Sequence, residues 1–232
     1  MRIRTWLLSI AVAASLASPA SADIVEKQGT FAGLKVTYKV VLPKAYDAAR
    51  SYPMVLVFTG GPQTLQILTT TLEVDWQAEA EKRGYIVVSP ASPNGELFFE
   101  GADKIFPSFI DEMLKIYKVR GKIHLAGHSN GGLSAFHIAA KYPQYFSTLT
   151  GYPGLLDGPD LEKIAVLKPM CLFMHVGERD PGWRGAMEDQ AAAMKKDGYR
   201  IQITVEKNQI HRIKAPEVNL SPRLMDEIES CK

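Results

Sequence analysis

Three short runs of this chain are apolar with almost no interruption: M-V-L-V-F at 54–58, I-V-V-S at 86–89 and M-C-L-F-M-H-V at 170–176. A strand with one wet face alternates apolar and polar side chains, so runs that fail to alternate read as strands covered on both faces. Parallel sheets wrapped by crossover helices satisfy that demand. The intervening segments supply the helices. Residues 75–83 are rich in Ala and Glu and stop at Gly84, and 103–117 place Ile105, Phe109, Met113 and Ile116 on one helical face; 133–142, 186–197 and 224–230 complete the set. Further strands are expected at 122–126, 145–150 and 201–205, after an antiparallel pair at 24–28 and 35–42 punctuated by Gly29 and Gly33. The expectation is one α/β domain with a mostly parallel eight-stranded sheet, helices on both faces and, because 151–169 is short, no large cap domain.

Reactive groups in such sheets gather beyond the C-terminal ends of the strands. After the strand at 122–126 the chain reads Gly127-His128-Ser129-Asn130-Gly131 and turns into a helix. This is the G-x-S-x-G pattern of a nucleophile elbow, in which the serine backbone is strained and a Cβ two residues to either side would crowd the neighbouring strand and helix. Gly60 and Gly61 follow another strand, Asp180 a third and His211 a fourth. Ser129, Asp180 and His211 thus occur in the order nucleophile, acid, base. Glu178 and Asp157 compete with Asp180, which is favoured because it starts the turn into the next helix. Of the other histidines, His124 and His175 fall inside buried strands, His137 lies two turns along the helix after Ser129, and His128 flanks the nucleophile and could line its pocket.

With these residues in place the chain resembles the α/β-hydrolase superfamily over nearly all of residues 23–232. It is most similar to the small secreted esterases that include feruloyl esterases and polyhydroxybutyrate depolymerases. The likeness rests on Leu-Pro-Lys-Ala-Tyr, Tyr-Pro-Met-Val-Leu-Val-Phe, the Gly-Gly loop, Gly-His-Ser-Asn-Gly-Gly and Gly-Glu-Arg-Asp before a helix. Thr59 departs from it where many members carry His, and Ile210 where Gly is common. The resemblance implies that Ser129 attacks an acyl carbon, His211 moves the proton and Asp180 orients the imidazole. The amides of Gly61 and Asn130 would meet the developing oxyanion, since Pro62 has no N–H. Phe98, Phe99, Tyr152 and Trp183, with His128, are candidate substrate-binding residues; core packing is the competing reading for each.

Composition narrows the remaining choices. Arg2 and Arg4, the apolar stretch 6–16 and Ala20-Ser21-Ala22 have the layout of a secretory signal peptide cut after Ala22. A secreted or periplasmic protein, with no stable membrane insertion after cleavage, is therefore expected. Without Arg2 and Arg4, the 27 basic residues become 25 against 25 acidic ones, so no polyanion partner is implied and nucleic acid is not an expected ligand. No metal or other cofactor is expected, because the histidines are dispersed, there is no C-x-x-C or H-E-x-x-H, and no Lys-Ser/Thr follows Gly60-Gly61. Cys171 and Cys231 form either a disulfide or two separate thiols. The expected activity is hydrolysis of a small or polymer-borne carboxylic ester. A serine peptidase of the prolyl oligopeptidase type and a non-catalytic binding protein are the alternatives.

Overall fold

A computed structural model describes residues 22–214, 218 and 220–231; the expected signal segment lies outside them but for Ala22. The chain opens with β1 (Asp23–Phe31) and β2 (Leu34–Leu42), paired antiparallel across a turn in which Ala32 and Gly33 both take positive φ. That two-residue geometry matches the twist of the strands it joins. The remaining strands are β3 (Met54–Phe58), β4 (Ile86–Pro90), β5 (Ile123–Gly127), β6 (Phe146–Gly151), β7 (Cys171–Gly177) and β8 (Arg200–Glu206). They form one eight-stranded sheet in the order β1-β2-β4-β3-β5-β6-β7-β8. β2 pairs antiparallel with β4, and every pair from β4 to β8 is parallel. β5, which leads into Ser129, lies inside the sheet between β3 and β6.

The helices are α1 (Leu65–Thr71), α2 (Gln77–Arg83), α3 (Phe106–Ile116), α4 (Asn130–Lys141), α5 (Arg184–Lys196) and α6 (Leu220–Ser230). Two apolar layers separate them from the sheet. Phe106, Phe109, Phe136, Met187 and Met194 pack from α3, α4 and α5 with Leu56, Leu125, Leu149 and Leu172 of the strands. Leu68, Ala80, Leu224 and Met225 pack from α1, α2 and α6, with Trp76 from the turn between α1 and α2, against Val55, Val57, Val87 and Ala126. Both sheet faces are covered, as uninterrupted apolar strands require. The 151–169 link holds a 3-10 stretch, Gly158–Leu167, and no cap domain is present among the described residues.

Two helices differ from their expected form. The stretch read as 75–83 begins ten residues earlier, and a π-helical turn, Leu72–Trp76, joins α1 to α2. The helix read as 103–117 starts with a 3-10 turn, Ala102–Ile105, so its buried face runs through Phe106, Phe109, Ile110 and Met113. Ile116 is 42% exposed in consequence. α2 ends as expected, with Gly84 in the left-handed region at φ 71°.

α6 is fastened to α2 and to the sheet by several groups. Arg83 reaches Asp226 at 2.7 Å and Glu229 at 2.8 Å. His175, wholly buried, sits between Glu206 at 3.2 Å and Glu227 at 2.9 Å. Burial alone would lower its pKa, but the two carboxylates raise it. Between the two cysteine readings the structure selects the disulfide: Cys171 at the start of β7 bonds Cys231, 60 residues away. Closing that loop stabilises the fold by about 4 kcal/mol in the chain-entropy account. Cys231→Ser is therefore expected to lose up to that amount in urea denaturation. Thiol titration of the native protein should find no free thiol before reductant is added.

Candidate active site

β5 runs into Gly127, and the chain then reverses direction within three residues to begin α4. Ser129 takes φ 57° and ψ −122°, a conformation rarely tolerated by a residue with a Cβ. Its neighbours hold it there. Ser129 N–H donates to the Pro153 carbonyl at 2.8 Å, His128 N–H to Phe58 at 3.1 Å and Gly131 N–H to the His128 carbonyl at 2.8 Å. The flanking glycines are required by space: a Cβ on Gly127 would stand 2.0 Å from the Gly131 carbonyl oxygen, and one on Gly131 2.2 Å from that of Phe58.

Ser129 Oγ lies 2.8 Å from His211 Nε2, and His211 Nδ1 lies 2.8 Å from Asp180 Oδ2. Asp180 is buried just beyond β7, where its carbonyl accepts the Arg184 amide and starts α5. The competing acids are elsewhere: Glu178 is exposed and accepts from the Asn208 amide, and Asp157 caps Gly158. The other histidines are also engaged elsewhere. His124 faces Thr148 at 2.9 Å, and burial pulls its pKa down to about 4. His137 lies against Asp160 and 3.8 Å from Asp103, with its pKa raised by those carboxylates against the effect of burial.

Facing the serine is the loop after β3. Gly61, at φ +60°, has room for a side chain but adopts a conformation that favours glycine. Its carbonyl accepts from the Asn130 side chain at 3.1 Å, which ties this loop to the start of α4. The Asn130 amide is at the first position of that helix, where no intrahelical acceptor exists and the helix dipole is positive. Gln63 anchors the loop from below. Wholly buried and at φ 53°, it donates from its side chain to Ser134 Oγ at 2.9 Å and accepts from the Phe98 amide at 3.4 Å.

The sequence-expected pocket residues divide. Trp183 is half-buried with its ring centroid 5.6 Å from that of His211. Phe99 is half-buried and lines a recess of about 190 Å³ with Leu133, Leu156 and the His137–Asp160 pair. Phe98 is a correction: it is completely buried, its ring 5.0 Å from Phe106 and 5.3 Å from Phe58, because it completes the aromatic core between β3 and α3. Tyr152 is also corrected. It is 2% exposed, and its hydroxyl accepts from Trp76 Nε1 at 3.2 Å, so it supports the site from beneath. His128 turns inward too, its ring between Tyr152 and His211. Three neighbours had no signal in the sequence: Gln63, Asp75 on the π-helical turn and Arg212, the last two joined by an ion pair at 2.9 Å.

Several solved structures share this overall fold. The feruloyl esterase module from Clostridium thermocellum complexed with sinapinate superimposes at a TM-score of 0.68, covering 90% of this chain and 87% of that one at 17% identity. A ferulic acid esterase from Anaeromyces mucronatus in complex with ferulic acid gives 0.69, with 95% and 93% covered at 14% identity. This chain has the α/β-hydrolase fold. No family model matches the sequence. It is 28% identical over 131 residues to dipeptidyl-peptidase 5 of Porphyromonas gingivalis, a match that spans 51% of this chain and 19% of that relative. The α/β-hydrolase sheet accounts for the location of the contacts described above: Gly61, Ser129, Asp180 and His211 all follow the C-terminal ends of parallel strands. Among the described residues, no helix is long and apolar enough to cross a membrane.

Proposed function

We propose that the protein is an exported serine hydrolase that cleaves carboxylic esters through an acyl-enzyme intermediate. The observation that carries this reading is the unbroken line of hydrogen-bond distances from Asp180 through His211 to Ser129, with Ser129 strained at the head of α4. His211 Nε2 accepts the Ser129 proton as Oγ attacks the ester carbonyl carbon, and Asp180 fixes the tautomer that leaves Nε2 free to do so. Negative charge gathers on the carbonyl oxygen, where the amides of Asn130 and Gly61 serve as donors; one such donor contributes roughly 3–4 kcal/mol to the transition state. The imidazolium then gives its proton to the departing alcohol. In the second half His211 activates water, the acyl–Oγ bond breaks, and the carboxylic acid leaves with Ser129 restored.

The absence of a cap among the described residues suits an ester at the end of a long or polymer-borne group. The recess lined by Phe99, Leu133 and Leu156 is large enough for one ring-sized group, and Leu133 lies one helical turn from Ser129. Esters of aromatic acids, the class named by the two structural neighbours, fit this description. Export is supported by the disulfide, since such bonds persist in oxidising compartments. A peptidase is the second reading, favoured by the partial match to dipeptidyl-peptidase 5.

A fluorophosphonate probe is expected to label the wild-type protein at Ser129 and to leave Ser129→Ala unlabelled. Turnover of p-nitrophenyl and feruloyl esters should exceed that of short peptides. An unlabelled folded wild type would overturn the hydrolase reading, and faster peptide cleavage would replace esterase with peptidase.

A further inference from the structure

His211 sits on a loop between β8 and α6, and catalysis by a general base tolerates little displacement: about 1 Å can cost a hundredfold in rate. The Asp180 bond fixes one edge of the imidazole but not the backbone that carries it. Two contacts hold the chain there, one at the His211 carbonyl and one at the side chain of the next residue. His128 Nε2 points at the His211 carbonyl oxygen, 3.4 Å away. A carbonyl only accepts, so this nitrogen carries the hydrogen, and Nδ1 is bare. One residue further on, Arg212 Nη2 is 2.9 Å from both carboxylate oxygens of Asp75.

The surroundings keep both grips stiff. A Cβ on Gly60 would come within 2.5 Å of His128 Nδ1, so the ring fills the space beside the Gly60-Gly61 loop. Its other sides meet the Tyr152 ring at 5.8 Å and the His211 ring at 5.3 Å. Burial, then the charges of Arg212 and His211, hold its pKa down to about 4, so the ring stays neutral. Asp75 sits on the π-helical turn, where an extra backbone residue swings one side chain out of the normal helical register. Between Asp75, His128, Tyr152 and Arg212 the packing leaves a gap of only about 10 Å³.

We propose that His128 and the Asp75–Arg212 pair are positioning residues that clamp the His211 loop and so set the reach of Nε2 to Ser129. This rests on the serine-hydrolase reading above. It gives His128 a role distinct from contact with substrate, which its inward orientation does not support. The π-helical turn then has a purpose as well: it brings a carboxylate from the helical layer to the loop that carries the base.

The test uses four variants of the full-length protein, with kcat and KM measured on a p-nitrophenyl ester. His128→Phe keeps a ring and loses the donor, whereas His128→Gln keeps an N–H near the place of Nε2. Arg212→Met breaks the pair, and Arg212→Lys retains the charge. His128→Phe and Arg212→Met should lower kcat roughly 10- to 100-fold with KM little changed. Gln and Lys should recover most of the loss. The clamp is overturned if the Phe and Met variants turn over like wild type, if their loss falls in KM, or if Gln and Lys lose as much. The low-field proton resonance of His211 Nδ1 reads the geometry without activity. It should weaken in His128→Phe and Arg212→Met, and its persistence there would refute the clamp even in a protein inert to every ester. Should either Phe or Met fail to fold, the other pair gives the same comparison.

Discussion

Ser129→Ala is expected to lower kcat on esters by about a million-fold, and Asp180→Asn by about ten-thousand-fold, with both proteins folded. The two losses differ because the residues do different things. In the proposed mechanism there is no acyl-enzyme without Oγ, and what would remain is catalysis by water in a site that would still bind ester and still offer the Asn130 and Gly61 amides. With asparagine at 180 the serine is present, but an amide N–H facing His211 Nδ1 drives the imidazole hydrogen to Nε2, where it opposes the Ser129 hydroxyl across 2.8 Å. Groups that act as a unit are non-additive, so the double variant should be little slower than Ser129→Ala alone. Stopped-flow and steady-state kinetics with p-nitrophenyl esters check both values. A loss below tenfold in Asp180→Asn would mean another acid serves His211; Glu178, exposed and bonded to Asn208, is poorly placed for that.

The sheet was legible because burial on both faces leaves a mark in the residues themselves. Met54–Phe58 has no polar side chain, and each of its five residues is buried. The order of Ser129, Asp180 and His211 was legible for a related reason: each follows a strand, and the parallel register of β5, β6, β7 and β8 carries those strand ends to one edge. The different settings of Asp180 and Glu178 follow local cues: the acid that starts α5 is turned inward, while the one nearer the strand is solvated.

Loops and pairings remote in sequence were not legible. Phe98 and Phe99 are adjacent and chemically identical, yet one is entombed against Phe58 and Phe106 while the other lines the recess. Nothing local distinguishes them; Phe98 is tied inward by its amide's bond to the Gln63 side chain, 35 residues away on the loop after β3. Asp75 and Arg212 are 137 residues apart, and neither belongs to a motif. The π-helical turn that brings them together has no compositional signature in L-E-V-D-W. His128 is conspicuous in the sequence for its place beside the serine, but its orientation depends on the empty space at Gly60 and on Tyr152, which follow β3 and β6.

The same dependence on empty space makes the elbow glycines sensitive structural positions. Gly131→Ala is expected to abolish soluble expression or to cost well over the roughly 1–3 kcal/mol typical of overpacking. A Cβ there meets Phe58 O at 2.2 Å, Phe58 C at 2.5 Å and Thr59 O at 2.5 Å, all backbone of β3 and its extension. A crowding side chain could rotate aside, but these atoms belong to a strand bonded on both edges, to β4 and β5. Moving them would also shift the Gly60-Gly61 loop. Gly185, in α5, supplies the control: a methyl group there would meet nothing within 4 Å, and its φ is not positive. Gly185→Ala should therefore stabilise by about 0.5–1 kcal/mol, because alanine loses less backbone entropy than glycine on entering a helix. Urea denaturation of the two variants side by side gives the comparison. If Gly131→Ala were as stable as wild type, the close approach of β3 to α4, and with it the strained setting of Ser129, would be wrong.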